Sequence, residues 1–165
     1  MFQPLSSRLE AEGVEFNIDE HCPYIRQVVK ETLRLYPSVP MVARRLDKPL
    51  TVCGIPFPTD SWFVINFYSL HRHAEYWSNP TEFDPDRFSP ENVGKIAPFS
   101  YIPFSGGPRN CVGQKFAKMT VILGVIKILG HYEVCCDKFG EAETEIVLHP
   151  VGMKLRFKPH ESEFS

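Results

Sequence analysis

Prolines are concentrated in the middle of this sequence, where eleven of the fifteen lie between residues 37 and 108. Because proline lacks an N–H and fixes its φ angle, this density excludes long helices from the region. We expect three short strands there, over residues 41–45, 50–54 and 62–67. A short helix is predicted over 66–73. From 80 to 104 proline alternates with aromatic residues, which predicts an ordered loop held by ring packing.

Helical patterns lie on both sides of the proline-rich region. Apolar residues recur at helical spacing over 24–36, and Pro37 ends that helix. Residues 112–129 are apolar nearly all round, which predicts a buried helix with Gly130 as its C-cap.

Two later segments, 131–136 and 153–158, alternate as strands do. The predicted fold class is therefore mainly α with small antiparallel β-sheets. We expect residues 1–20 to be an acidic connector and 21–165 to form one domain.

Composition excludes several function classes. A hydrophobic content of 43% with 23% charged residues is typical of a globular chain. Net charge is −2 and the only basic pair is Arg44–Arg45, so we predict no nucleic-acid partner. No signal peptide opens the sequence, and its most apolar stretch, 119–130, is too short to span a bilayer. Five cysteines without a CxxC argue against disulfides or zinc and favour a reducing, cytosol-facing location.

Cys111 stands between a Gly/Pro-rich loop and the second helix, within FSGGPRNCVGQKFA. The helix N-terminus and nearby Arg109 both favour a thiolate, which leaves a nucleophile, a metal ligand or an inert core thiol. A nucleophile needs a positioned base, and His131 is the only histidine within twenty residues. Zinc requires at least three protein ligands, whereas a haem iron needs one.

Neighbouring residues suit a haem. Gly107 and Gly113 let backbone approach a flat macrocycle, and Arg109 can bind a propionate. Phe104 can pack beside the sulfur and keep water out. From the residues alone, a haem ligand and a structural cysteine carry equal weight.

FSGGPRNCVG resembles the haem-binding loop of the cytochrome P-450 family, F-x-x-G-x-R-x-C-x-G. The matching positions are Phe104, Gly107, Arg109, Cys111 and Gly113. The resemblance implies that Cys111 is the axial ligand of haem b, iron protoporphyrin IX. It also implies that Arg44 and Arg109 hold the propionates, whereas Arg45 is expected to be a surface arginine.

Two further motifs follow the family's order. ETLR supplies an E-x-x-R pair as Glu31 and Arg34, and FDPDRF resembles P-E-R-F, with Asp86 in place of glutamate and with Arg87. Spacing alone allows a solvated pair worth a few tenths of a kcal/mol. The resemblance instead implies a buried Glu31–Arg34–Arg87 network that holds the cysteine loop. His71 and His73 are predicted to be polar residues of the short helix rather than iron ligands.

The implied activity is that of a haem-thiolate monooxygenase, which inserts one atom of O₂ into a C–H bond of a small lipophilic substrate. The sequences of these motifs most resemble those of the family-four group, which suggests a fatty acid as the substrate. The resemblance further implies an NADPH reductase as redox partner and, for a full-length relative, an N-terminal anchor on the cytosolic face of the endoplasmic reticulum. The sequence shows no counterpart of that anchor or of the family's distal helix, so we expect a fragment of the P-450 fold that is inactive alone.

Two alternatives remain from other classes. One is a truncated haem-binding or regulatory module without oxidation chemistry. The other is a hydrolase that uses Cys111 as its nucleophile.

Overall fold

The computed structural model describes residues 22–144 and 147–160, so the predicted connector 1–20 lies outside the described residues. Helix α1 spans Pro23–Leu35. Proline suits its first turn because the first N–H groups of a helix have no internal partner. The helix ends ahead of Pro37, as expected.

The proline-rich region forms two small antiparallel pairs. Strand β1 (Met41–Arg45) pairs with β4 (Trp62–Asn66) in register from Met41 opposite Asn66. Strands β2 (Leu50–Val52) and β3 (Ile55–Phe57) form a hairpin. Its turn residues, Cys53 and Gly54, have φ angles of 49° and 78°, the left-handed pair that a tight two-residue turn needs. The predicted strand 50–54 therefore ends early, in this turn.

A short helix and an irregular meander follow. Helix α2 covers Phe67–Leu70, where the Asn66 side chain caps it by accepting from the Ser69 N–H. It stops three residues before the predicted end. Short 3₁₀ turns lie at Pro85–Phe88 and Val93–Lys95. Three rings hold the meander, with centroid distances of 6.1 Å for Trp77–Phe88 and 4.7 Å for Phe88–Tyr101, which confirms the predicted ring packing.

The rest of the described chain contains one long helix and two strand pairs. Helix α3 covers Gln114–Leu129, after a 3₁₀ turn at Gly107–Arg109. Gly130 is its C-cap, as predicted. The remaining four strands are β5 (Tyr132–Lys138) paired with β8 (Lys154–Pro159), and β6 (Glu141–Thr144) paired with β7 (Leu148–Val151).

Two expectations about helix need correction. The described residues are not mainly α, because their eight strands cover about as many residues as their α-helices do. Helix α3 is not buried either: Ile122 is the one residue of the helix that is buried within the described chain. It contacts α1 and β5, and within the described chain several of its apolar side chains are exposed, Phe116 and Met119 among them.

The core lies between α1, α2 and the meander. Its apolar members include Val29, Leu35, Phe67, Trp77 and Phe88. Charged and polar side chains are buried among these apolar residues, Glu31, Arg34 and His71 among them.

Candidate functional site

Glu31 and Arg34 form a fully buried ion pair on α1. Arg34 Nε and Nη2 donate to the two Glu31 carboxylate oxygens at 2.7 and 2.8 Å, and neither side chain is exposed. The other N–H groups of Arg34 donate to the carbonyls of His71, Pro80 and Glu82 at 2.7–2.9 Å. All five guanidinium donors therefore have acceptors, as burial of a charge requires. The solvated-pair interpretation of this spacing is wrong.

Arg87 joins the same carboxylate from the meander. Its Nε lies 3.5 Å from Glu31 Oε1, and its side chain is 11% exposed. Nη2 donates to the Asn79 carbonyl at 3.0 Å, while the Asp84 N–H donates to Glu31 Oε1 at 2.9 Å. The structure thus brings Glu31, Arg34 and Arg87 together, and the contacts link α1 to backbone that is about fifty residues away.

His71 and Tyr101 are buried polar residues that the sequence interpretation missed. His71 is predicted to be a polar residue of the short helix; it is the C-cap of α2 and is fully buried, and burial lowers its pKa to about 4. Its Nε2 accepts from the Ile102 N–H at 3.0 Å. The Tyr101 hydroxyl donates to the Lys30 carbonyl at 2.9 Å, and burial raises its pKa. One available signal was position: His71 follows Phe67 by four residues, the spacing that puts two residues on one helix face.

Cys111 lies at the end of a segment that we call the cysteine loop, residues 102–111. The Cys111 N–H donates to the Phe104 carbonyl at 2.9 Å, and the Cys111 carbonyl accepts from the Gln114 N–H at 3.3 Å. The thiol is exposed and stands just before the N-terminus of α3. That terminus carries partial positive charge, which favours an anionic sulfur.

The glycines of the cysteine motif differ in their role. Gly107 has a φ of 72°, a left-handed conformation that other residues adopt only with strain, and a Cβ there would meet open space. Gly113 has an ordinary φ, and a Cβ at that position would lie 3.9 Å from Cys111 Sγ. Gly107 is therefore required by the turn, whereas Gly113 keeps the surroundings of the sulfur open.

The two arginines predicted to bind propionates, Arg109 and Arg44, differ in their contacts. Arg109 is exposed and makes no hydrogen bond or ion pair with the described residues. Half-buried Arg44 on β1 donates to the Ala43 carbonyl at 2.9 Å. No hydrogen bond or ion pair between described residues joins Arg44 to the cysteine loop, and the placement of Arg44 and Arg109 around one haem stays a prediction. Arg45 pairs with Asp60 at 2.6 Å on the surface, as expected of a surface arginine.

Phe104 reaches the cysteine through its backbone. Its ring is half-buried beneath the Lys118 ammonium, 5.3 Å from the ring centroid.

No three His, Cys, Asp or Glu side chains converge on a possible metal position within 22–144 and 147–160. Over the same residues, no helix is both long and apolar enough to cross a membrane.

Comparisons with known proteins all point to one family. A family model described as cytochrome P-450 matches residues 10–157. A Drosophila melanogaster protein named probable cytochrome P-450 4p2 is 38% identical over 136 residues, which are 82% of this chain and 25% of that protein. Cytochrome P-450 3A18 of Rattus norvegicus is 43% identical over 116 residues, which are 70% of this chain and 23% of that protein.

A solved cytochrome P-450 structure, CYP102L1, superposes with a TM-score of 0.79 at 29% identity, over 88% of this chain and 34% of that one. The chain spans about a quarter of the length of the curated relatives it matches. Because the family model covers most of the sequence and the solved relative shares its fold, this chain belongs to the cytochrome P-450 family.

Proposed function

We propose that residues 21–165 form the C-terminal, haem-binding portion of a cytochrome P-450 monooxygenase, with Cys111 as the axial ligand of haem b. The observation that carries the proposal is the exposed Cys111 thiol, presented at a helix N-terminus by a loop that is anchored to a buried ion-pair core. Haem needs one protein ligand, and thiolate is one of the axial choices.

The surroundings of Cys111 fit that group. A haem is flat and apolar, with two carboxylates at its edge. Val112 is fully exposed beside the cysteine and Phe116 is 75% exposed on the next turn, so the chain presents apolar surface here. Arg109 is an exposed cation in the same loop, suited to a carboxylate. Phe104 is proposed to shield the sulfur.

The role of the Glu31–Arg34–Arg87 network is structural in this proposal. The network fixes the meander, and His71 and Tyr101 fix the residues that precede the cysteine. A bound haem thiolate supplies oxygen activation, so that one atom of O₂ enters a C–H bond. The share of this chain's own residues would be to hold the sulfur and neutralise the propionates, and the exclusion of water is proposed for the full-length protein.

The substrate, partner and location are proposed at the level of the family. The substrate is a small lipophilic molecule, with a fatty acid as the first class to test. Electrons are proposed to come from an NADPH reductase, and the full-length protein is proposed to lie on the cytosolic face of the endoplasmic reticulum membrane.

The test is reconstitution of the chain with haemin, followed by reduction under carbon monoxide. The parent should show the red-shifted absorption band of a thiolate complex, and Cys111→Ala should lose it. Cys53→Ala is the matched control, because Cys53 is also exposed but lies in the hairpin turn between β2 and β3. Persistence of the band in Cys111→Ala would reject Cys111 as the ligand.

The same samples separate the alternatives. A hydrolase that uses Cys111 would bind no haem with a thiolate spectrum. A haem-binding module would show the band both in this chain and in a longer form that contains it. Neither form would yield oxidised product when a reductase is supplied. Product formation by a longer form that contains this chain, dependent on Cys111, identifies the monooxygenase.

A further inference from the structure

The His71 imidazole links α2 to the start of the cysteine loop. It is fully buried, with the Phe67 ring on one side at 6.3 Å and the Tyr101 ring at 5.4 Å between centroids. Its Nε2 lies 3.0 Å from the Ile102 nitrogen. The imidazole is thus packed by rings and directed at one backbone group of the loop.

The chemistry of that contact determines the state of the ring. An amide N–H can only donate, so Nε2 must be unprotonated and the ring proton must be on Nδ1. Nδ1 has no hydrogen-bond partner among the described residues. Burial, together with the charges of Arg34 and Arg72 nearby, disfavours a second proton. The bond to Ile102 is therefore the ring's well-aligned hydrogen bond within the described chain, although the Arg34 backbone also lies close to the ring.

Two backbone hydrogen bonds connect Ile102 to the cysteine. The Ile102 carbonyl accepts from the Ser105 N–H at 2.9 Å. The Phe104 carbonyl then accepts from the Cys111 N–H at 2.9 Å. A displacement of Ile102 would thus be transmitted to the residue whose carbonyl holds the Cys111 amide.

The other end of the contact leads to the ion-pair network. Arg34 Nη1 donates to the His71 carbonyl at 2.8 Å, so the histidine backbone is held by the same guanidinium that pairs with Glu31. Backbone and side chain of one residue therefore join the network to the loop.

We propose that His71 is a positioning residue of the cysteine loop, whose Nε2 lone pair holds the Ile102 amide and thereby sets where the Cys111 thiol stands. The consequence for haem rests on the proposed function above. The effect on the loop itself does not, and it can be measured without haem.

Three substitutions test the role. His71→Phe keeps an aromatic ring between Phe67 and Tyr101 but has no acceptor. His71→Gln has an amide oxygen that reaches as far as Nε2. His73→Phe is the control, because His73 lies two residues away and is exposed.

The first readout is amide hydrogen exchange in the 165-residue chain. His71→Phe should speed exchange at Ile102 by about tenfold, the effect of losing one net hydrogen bond, and should also speed it at Cys111. His71→Gln and His73→Phe should leave both amides near the parent's rates. Unchanged exchange at Ile102 in His71→Phe would overturn the inference.

The second readout is the fraction of thiolate complex after haemin reconstitution, reduction and carbon monoxide. His71→Phe should lower that fraction, and His71→Gln should restore it. A parent without the thiolate band would refute the proposed function while the exchange data still decide the role of His71. A parent with the band and an unchanged fraction in His71→Phe would refute the inference alone.

A third measurement covers the case in which His71→Phe does not fold. The ¹⁵N shifts of the parent's His71 ring report which nitrogen carries the proton. An unprotonated Nε2 supports the proposed contact, and a protonated Nε2 contradicts it.

Discussion

Both carboxylate oxygens of Glu31 accept hydrogen bonds from the Arg34 guanidinium, at 2.7 and 2.8 Å, and neither side chain is exposed to water. On a solvated helix, residues three apart contribute a few tenths of a kcal/mol when they pair. Here each charge has lost its hydration, so each depends on the other for compensation. The pair therefore stabilises the fold as part of the core and not as a surface ion pair.

Arg34→Ala should destabilise the chain by roughly 3–5 kcal/mol, because it leaves the Glu31 carboxylate buried without its bidentate partner. Arg45→Ala is the matched control, since Arg45 pairs with Asp60 at 2.6 Å but on the surface. The control should cost less than about 1 kcal/mol. Denaturant melts of parent and variants give the free energies of unfolding. Equal losses in the two variants would contradict the buried network.

Gly107→Ala should destabilise the cysteine loop by about 1–2 kcal/mol, because the φ of 72° at this position disfavours any residue with a Cβ. Gly94→Ala is the control: a Cβ there also meets open space, but Gly94 has no positive φ. We expect that change to be neutral or mildly stabilising. Thermal melts decide, and a Gly107→Ala variant as stable as Gly94→Ala would show that the turn tolerates a side chain.

The regular elements were largely predictable because local chemistry determines them. Strand β1 has the bounds that the sequence predicted, 41–45, and helix α1 differs from its prediction by one residue at each end. The positions of the prolines limited the lengths of the strands, and the helical spacing of apolar residues located the helices. The left-handed turn at Cys53 and Gly54 is not predictable from local sequence, because cysteine is not a usual turn residue and the pattern there favours a continuous strand.

Burial was less predictable than secondary structure. The pattern of α1 alone allowed Glu31 and Arg34 to face solvent, and their burial depends on carbonyls at 71, 80 and 82 that come from distant sequence. Helix α3 shows the reverse: an apolar composition suggested a core position, yet the described chain covers little of it. Partners far along the chain decide burial, and periodicity cannot report them.

Acid should destabilise the chain through His71. Burial lowers its pKa from 6.5 to about 4, so between these values the unfolded state binds more protons than the folded state. The contribution of His71 to the free energy of unfolding should therefore be fully present above pH 6.5 and should be lost as the pH drops toward 4. The expected loss is on the order of 3 kcal/mol. Denaturant melts across that range should show the slope in the parent but not in His71→Gln. Parallel pH profiles for the two proteins would contradict the prediction.

Arg109→Gln should weaken haemin binding by about tenfold or more, because a charge-assisted bond to a propionate is lost. The specific check is the dimethyl ester of haemin, which has no propionate charge and should bind parent and variant equally. Arg44→Gln should behave in the same way if Arg44 is the second propionate ligand. Arg156→Gln is the control, since Arg156 pairs with Asp137 at 2.6 Å on the surface. Equal loss of both forms of haemin in Arg109→Gln would exclude a propionate contact.

The 165-residue chain by itself should not couple oxygen consumption to hydroxylation. Cys111 is exposed, Val112 beside it is fully exposed, and Phe116 is 75% exposed, so a group held by this cysteine would stand in contact with water. Oxidation of a C–H bond needs a site from which water is excluded, because water allows reduced oxygen species to escape.

With haemin, a reductase, NADPH and medium- or long-chain fatty acids, we expect NADPH consumption and peroxide without matching hydroxylated product. Cys111→Ala measures the background, and the parent should exceed it in peroxide but not in product. Hydroxylated fatty acid that accumulates in proportion to the NADPH consumed would refute this prediction and would mean that the chain can close its own site.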